Sequence, residues 1–100
     1  MKAHAFQVLL ALTEGERHGW ALVRELQARD PGSRILPSNF YRVLRGLLAD
    51  GLIEEAGTSN RRTYFKLTKA GRAAARYEAR RLEALVAESR SRKLLTSRGR

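Results

Sequence analysis

The chain contains no cysteine, so neither a disulfide bond nor a thiolate metal site can form, and a reducing cytoplasm is the expected compartment. It also lacks an apolar run of roughly 20 residues, the length that a membrane-spanning helix requires. His4 and Gln7 interrupt the apolar residues of the N-terminus, which does not resemble a signal peptide. The two histidines, His4 and His18, have no carboxylate at metal-ligand spacing, and no nucleophile, base and acid occur as a set. We therefore expect no membrane partner, no metal, no cofactor and no enzymatic activity.

Acidic residues are scarce. Ten Asp and Glu face 20 Lys and Arg, which gives a formal net charge of +10. Such an excess attracts polyanions over a long range and favours binding through counterion release. DNA, RNA and an anionic membrane all satisfy this condition. A chain of 100 residues, 43% of them apolar, indicates one small folded domain of a size that oligomerisation often stabilises.

Hydrophobic periodicity and turn residues predict a mainly α fold with a small β-hairpin. The predicted elements are helices at 3–13 and 20–29, an edge strand at 34–36, a helix from 38 to 50, strands at 52–55 and 62–67 joined by a turn at 56–60, and a helix at 69–88. This order is typical of a winged helix-turn-helix with a long C-terminal helix. We expect a winged domain over 1–68, a C-terminal helix over 69–90 and a basic flexible tail over 91–100.

The third predicted helix has one apolar and one cationic face. Ser38 is its predicted N-cap and Gly51 the left-handed residue after its end. Its inner face centres on Leu44, with Phe40, Leu47 and Leu48 beside it. Opposite lie Ser38, Asn39, Arg42, Arg45, Gly46 and Ala49. The major groove of DNA admits one helix, in which arginine can bond guanine and asparagine can bond adenine. The alternative is an ordinary solvated face of an amphipathic helix.

The turn between the two predicted strands is also basic. Asn60, Arg61 and Arg62 would project from a stiff base, where they can grip phosphates or enter a narrow minor groove. Lys66 would extend this positive strip if its side chain faces outward. The alternative is a turn that charge keeps soluble. Because the element order places the hairpin beside the third helix, each feature strengthens the nucleic-acid interpretation of the other.

Three segments together resemble the PadR family of bacterial transcriptional regulators over roughly residues 5 to 85. They are His18-Gly19-Trp20, the run from Ser38 to Ile53, and the run from Arg62 to Gly71. Arg42 stands where the family usually has proline, and Gly46 stands at a place that is often basic. The resemblance implies a winged helix-turn-helix in which Tyr41 contacts the DNA backbone. It further implies that Ser38, Asn39, Arg42 and Arg45 face the groove.

The end of the last predicted helix carries apolar residues beyond the reach of its own domain: Leu82, Leu85 and Val86. Such residues are usually buried in a partner chain, and PadR-like proteins dimerise through this helix. The expectation is thus a homodimer whose two reading helices meet half-sites about one DNA turn apart on a pseudo-palindrome. The question whether the protein binds a small-molecule effector stays open. Tyr77 is the one aromatic residue that this helix offers for an aromatic ligand.

The leading function is a sequence-specific regulator, in the repressing mode, that binds double-stranded DNA on the bacterial nucleoid. One alternative is a basic RNA- or ribosome-associated protein, and another is a winged-helix adaptor between proteins. Readers of single-stranded RNA usually stack bases on exposed aromatic side chains. Here Phe40 and Trp20 are expected in the core instead, and His18 is expected to start a helix.

Overall fold

The computed structural model describes residues 1–29 and 35–95. In chain order these residues form α1 (Ala3–Leu12), β1 (Arg17–His18), α2 (Gly19–Arg29), α3 (Pro37–Ala49), β2 (Ile53–Ser59), β3 (Arg62–Leu67) and α4 (Lys69–Ser91). The strands make an antiparallel sheet in the order β1-β3-β2. The wing, defined as β2, β3 and the turn between them, follows α3 directly. This arrangement confirms the predicted winged helix-turn-helix with its long C-terminal helix.

One apolar core joins α1, α2, α3 and the sheet. Its fully buried side chains include Leu9 of α1, Leu22 of α2, Phe40 of α3 and Ile53 of β2. Burying each such side chain contributes about 1.5–3 kcal/mol. The predicted inner face of α3 is confirmed, because Phe40, Leu44 and Leu47 are buried and Leu48 packs against them. Because this inner face is buried, the opposite side of α3 faces solvent.

The short strand lies elsewhere than the sequence predicts. Within the predicted strand 34–36, Arg34 lies outside the described residues, and Ile35 is buried in the core without joining a strand. Instead, Arg17 and His18 pair with β3 at the edge of the sheet. A two-residue bridge has too few positions to produce an alternating pattern, so periodicity could not reveal it.

The helix α3 starts earlier than predicted. Leu36 is its N-cap and Pro37 occupies the first turn, so the predicted N-cap role of Ser38 is wrong. Proline suits this position because its φ is already helical and its missing N–H would have had no helical acceptor. At the other end Gly51 has a φ of +73°, which confirms the predicted left-handed residue.

The wing is longer and its turn tighter than predicted. The segment 56–60 is mostly strand, because β2 continues to Ser59 after a bulge between Glu55 and Gly57. Asn60 and Arg61 alone reverse the chain, with φ values of +52° and +62°. Positive φ at both central residues is what a type I′ turn requires, and its twist matches that of the flanking strands. The wing therefore carries Arg61 on a short turn rather than on a long loop.

Thr68 ties the wing to both α3 and α4. Its hydroxyl donates to the carbonyl oxygen of Gly51 at 2.6 Å and accepts from the backbone N–H of Gly71 at 2.9 Å. Its own backbone N–H donates to the carbonyl oxygen of Leu52 at 3.2 Å. A Cβ at Gly71 would collide with that same carbonyl. The predicted cap of α4 by Thr68 is confirmed, and the contacts hold the wing at a defined angle to α3.

The helix α4 outruns the domain. It ends at Ser91, three residues beyond the predicted Glu88, and its buried residues all lie in its first half. In the second half Leu82 is half-buried, whereas Leu85 and Val86 are 46% and 38% exposed. A helix of this length spans about 35 Å, so its far half presents an apolar strip to solvent.

A buried carboxylate marks the middle of α4. Glu78 is 4% exposed, and Arg81 donates to its two oxygens from Nε at 2.9 Å and from Nη2 at 2.7 Å. These hydrogen bonds lower the pKa of Glu78, against the opposing effect of burial, and raise the pKa of Arg81. Glu78 is therefore held as a carboxylate where α4 meets the domain.

Candidate nucleic-acid interface

A cleft of about 420 Å³ separates the outer side of α3 from the wing turn and the start of α2. We call it the α3–wing cleft. Its lining combines arginines with aromatic side chains: His18, Gly19, Trp20, Tyr41, Leu44, Arg45, Leu48, Arg61, Arg62, Thr63 and Phe65. None of these described lining residues is acidic. The fold thus brings the two basic features of the sequence to one surface.

The predicted outer face of α3 is solvent-exposed at every position: Ser38, Asn39, Arg42, Arg45, Gly46 and Ala49. Of these, Arg45 lines the α3–wing cleft. Gly46 lies in open space, since a Cβ built there would meet no atom within 4 Å. The exposed side of α3 can therefore approach another surface closely at Gly46, with Arg42 one turn before it.

Tyr41 stands between α3 and α2. It is 42% exposed, and its ring packs edge-on against Phe40 with 5.4 Å between ring centroids. A Cβ at Gly19 would lie 3.5 Å from Tyr41 Cε1 and 3.6 Å from its hydroxyl oxygen. These are ordinary van der Waals distances, so the tyrosine ring and its hydroxyl lie directly over the first turn of α2 at Gly19.

The wing turn contributes the second group of predicted residues. Asn60, Arg61 and Arg62 are all exposed, and the two arginines line the α3–wing cleft together with Arg45. Lys66 does not line it. The neighbouring Phe65 does, and successive strand residues point to opposite faces of a sheet. Lys66 Nζ instead lies 3.6 Å from Glu54 Oε1 on β2. The structure therefore brings Arg61 and Arg62 to α3, but neither Asn60 nor Lys66.

The arginines of this surface are not neutralised by the protein itself. Within residues 1–29 and 35–95, none of Arg42, Arg45, Arg61 and Arg62 lies within ion-pair distance of a carboxylate. Arginines elsewhere do, such as Arg17. Unpaired guanidinium groups on one surface produce a positive potential that a phosphate backbone can compensate.

His18 and Trp20 line the cleft but are absent from the predicted site. Trp20 is 54% exposed and lines the cleft, so its expected core position is wrong. Its helical spacing to Val23 indicates burial, but the first turn of α2 lies at the rim of the domain. His18 starts α2 as expected, because its Nδ1 accepts a hydrogen bond from the backbone N–H of Ala21 at 3.2 Å. The consecutive run His18-Gly19-Trp20, one of the three segments that resemble the PadR family, was the sequence signal that could have placed both residues at the cleft.

The fold and the cationic cleft define a winged-helix protein whose surface suits a polyanion. Comparison with known families gives a match to the Transcriptional regulator PadR-like family over residues 8–77. The chain therefore belongs to this family of DNA-binding transcriptional regulators. No curated protein matches the chain.

Solved structures share this architecture over nearly the whole chain. RosR of H. salinarum is 25% identical, with a TM-score of 0.69 over 91% of this chain and 94% of that one. A PadR family transcription regulator of Clostridium difficile is 14% identical, with a TM-score of 0.78 over 90% and 97%. A Streptococcus transcriptional regulator is 22% identical, with a TM-score of 0.78 over 89% and 90%. The last two likenesses establish the fold alone.

Two other kinds of site, a membrane span and a metal centre, find no support in the described part of the chain. No helix there has the length and apolar character needed to cross a membrane. Nor do three or more His, Asp or Glu side chains of those residues gather where they could hold a metal ion. The α3–wing cleft is the feature on which a function can be built.

Proposed function

We propose that this protein is a sequence-specific transcriptional repressor that binds a pseudo-palindromic DNA operator as a homodimer. The observation that carries the proposal is the α3–wing cleft, where Arg45 of α3 and two wing arginines meet without any carboxylate among the lining residues. Family membership supports DNA as the polyanion. The repressing mode is the simplest use of such a dimer, because a protein bound to an operator covers that DNA.

In this proposal α3 enters the major groove and reads bases. A helix with its side chains measures about 10–12 Å across, which fits a groove about 12 Å wide. Arg42 and Arg45 donate to guanine, whereas Ser38 and Asn39 reach bases or phosphates near the start of the helix. Gly46 supports a close fit, since no protein atom occupies the space beside it. Tyr41 donates its hydroxyl to the backbone.

The wing holds the phosphate backbone beside α3. Asn60 and Arg61 form a two-residue turn between paired strands and Arg62 begins β3, so their backbone positions are defined before DNA arrives. Preorganised contacts of this kind avoid the cost of ordering a loop on binding. Phosphate contacts of this kind set the register of α3 but carry no base preference. A wing residue and an α3 residue should therefore respond differently to mutation.

Dimerisation occurs through the far half of α4. Leu82, Leu85 and Val86 form a strip there that the domain leaves largely uncovered. In a second copy the same strip faces back across a two-fold axis, as closed dimers require. Two copies of α3 would then meet successive half-sites, which explains the proposed palindromic operator. The proposal leaves open whether a small-molecule effector modulates this dimer.

A binding comparison tests the proposed function. Duplex fragments from around the coding region, non-specific duplex and structured RNA are titrated with the protein between about 50 and 200 mM salt. A regulator keeps a large preference for one duplex as salt rises, whereas non-specific binding collapses. The exposed Trp20, an available stacking surface, favours RNA binding as the second candidate. Equal or better binding to RNA would overturn the DNA proposal.

Two variants separate the roles within the surface. Arg45→Ala should cost about 1–3 kcal/mol on the preferred duplex and relax base preference at one position. Arg61→Ala should weaken all duplexes equally and lower the salt slope by about 1. Arg76→Ala serves as the control, because Arg76 is exposed on α4 and does not line the cleft. Reversed effects of the first two variants would overturn the assignment of base reading to α3.

A further inference from the structure

The ring of His18 makes two contacts that a neutral imidazole cannot both satisfy. Its Nδ1 accepts from the backbone N–H of Ala21 at 3.2 Å, and its Nε2 lies 3.5 Å from Arg62 Nη1. A neutral imidazole has one N–H and one acceptor nitrogen. Because the contact to Ala21 requires a bare Nδ1, the ring proton is on Nε2. Exchanging the tautomer would only move the conflict to Ala21.

His18 Nε2–H and the Arg62 guanidinium are therefore two donors that face each other. Guanidinium has no acceptor atom, so the 3.5 Å approach is not a hydrogen bond. Among the described residues no carboxylate lies within ion-pair distance of Arg62 to accept from both groups. Both donors become satisfied if one anionic oxygen binds where their N–H groups converge.

The surroundings of the pair suit an anion. His18 and Arg62 both line the α3–wing cleft, and so do Arg61 and Trp20. Arginine and the indole N–H are donors without acceptor capacity. His18 lies at the start of α2, where the hydrogen bond from Ala21 fixes its ring. Arg62 lies at the start of β3, which is paired with β2. Both residues therefore stand on ordered backbone. This is a built arrangement of donors rather than one mobile side chain on a surface.

We propose that His18 and Arg62 together bind one phosphate group of the DNA backbone, with Trp20 beside it at the rim of the cleft. The inference rests on the proposed function, which it deepens by adding His18 and Trp20 to the binding surface. The His18 imidazole donates as a neutral group, while Arg62 supplies the charge. The phosphate lies beside α2 and so extends the contact surface from the wing turn across the start of that helix.

The test uses variants that separate helix capping from phosphate binding. His18→Asn retains an acceptor for the backbone N–H of Ala21, since asparagine is among the preferred N-cap residues, but it lacks a donor at the Nε2 position. His18→Ala removes both functions. Arg62→Gln removes the charge with little change in size, and Arg76→Ala is the matched surface control. Duplex affinity is measured between about 50 and 200 mM salt, with thermal unfolding of every variant.

The two residues should leave different signatures. His18→Asn should bind about tenfold more weakly, the effect of losing one hydrogen bond to a charged group, with an unchanged salt slope. Arg62→Gln should bind about tenfold more weakly and lower the salt slope by about 0.9. The double variant should be little weaker than either single one, because both hold the same phosphate. Independent contacts would instead multiply to about a hundredfold loss.

Several results would overturn the proposal while leaving DNA binding intact. One is wild-type affinity in His18→Asn together with loss in His18→Ala, which would assign His18 to helix capping alone. Another is a fully multiplicative double variant. If the wild type fails to prefer any duplex, the proposed function fails at a separate step, before the variants are compared.

A second arm separates the DNA backbone from free phosphate as the source of the anion. Trp20 is the single tryptophan of the chain, so its fluorescence reports on this site alone. Duplex should change the emission at concentrations where inorganic phosphate has no effect, and His18→Asn should shift the duplex titration. A tight response to inorganic phosphate without duplex binding would overturn the backbone assignment. No response to either would overturn the anion site.

Discussion

Gly46 offers the sharpest test of how α3 meets DNA, because stability and affinity should change in opposite directions. The residue lies inside α3, and a Cβ built there meets no protein atom within 4 Å. Replacing it with alanine therefore adds a methyl group without a clash in the free protein. Mid-helix glycine is about 1 kcal/mol less favourable than alanine, mainly because of the greater backbone entropy that it loses.

The expected gain in stability can be given a size. Gly46→Ala should stabilise the protein by about 1 kcal/mol, which corresponds to a rise in Tm of roughly 4–8 °C for a domain of this size. If α3 lies against DNA at this point, the added methyl group pushes the helix outward. Hydrogen bonds to bases tolerate only a few tenths of an ångström beyond their optimum. Losing one base contact costs about 1–3 kcal/mol, so affinity for the preferred duplex should fall at least fivefold.

The assay pairs thermal unfolding with duplex titration of the same preparation. Ala73→Gly is the matched control, since Ala73 is exposed within α4. It should lower stability by about 1 kcal/mol and leave DNA affinity unchanged. A stabilised Gly46→Ala protein with wild-type affinity would refute the close approach of DNA at this point. A destabilised variant would refute the open space beside Gly46.

Three further predictions concern the frame that carries the cleft. Gly71→Ala should destabilise the protein by about 1–3 kcal/mol in a denaturant titration, because its Cβ overlaps the Leu52 carbonyl. Glu78→Gln should reduce the loss of stability on acidification seen in thermal unfolding. The folded-state pKa of this glutamate is lowered, so its stabilising effect is present above the unfolded value of about 4.3 and disappears as the pH falls through the folded one. Leu85→Arg should convert the proposed dimer to a monomer in a solution mass measurement and weaken operator binding, since each protomer then binds its half-site without a neighbour.

Matched controls or contrary outcomes check these three predictions. Gly46→Ala has the same change of residue as Gly71→Ala, so a destabilisation of both would point away from the specific contact with Leu52. Glu83→Gln removes an exposed glutamate of α4 and should leave the acid response unchanged. A wild-type protein that is already monomeric, yet binds the operator tightly, would contradict the role of α4.

Much of the fold could be predicted because its signals are local. The alternation of β3, the left-handed Gly51 and the cap by Thr68 each follow from a few adjacent residues. The predicted element boundaries were wrong where a second local signal outweighed the first. Pro37 at the first turn moved the start of α3 away from Ser38, and the I′ turn consists of Asn60, the last residue of the predicted turn segment, and Arg61.

The exposed residues of single elements in the candidate surface were predicted, but the way in which the elements pack against one another was not. Helical spacing correctly places Arg42 and Arg45 on the exposed side of α3, because the apolar residues of the same helix occupy its buried side. Helical spacing also indicated burial for Trp20, which is exposed. Spacing along one helix cannot tell which end of it protrudes past the elements packed against it.

The amino-acid sequence by itself determined which side of α3 is apolar, that a hairpin follows this helix, and how large the positive charge is. These properties depend on neighbours a few residues apart, where backbone geometry relates position to direction. Only the tertiary structure decided which charged residues share a cleft. It left Lys66 paired with Glu54 and placed His18 within 3.5 Å of Arg62, 44 positions away in the chain. Such proximity is set by how the elements pack on the common core, and no spacing along the chain encodes it.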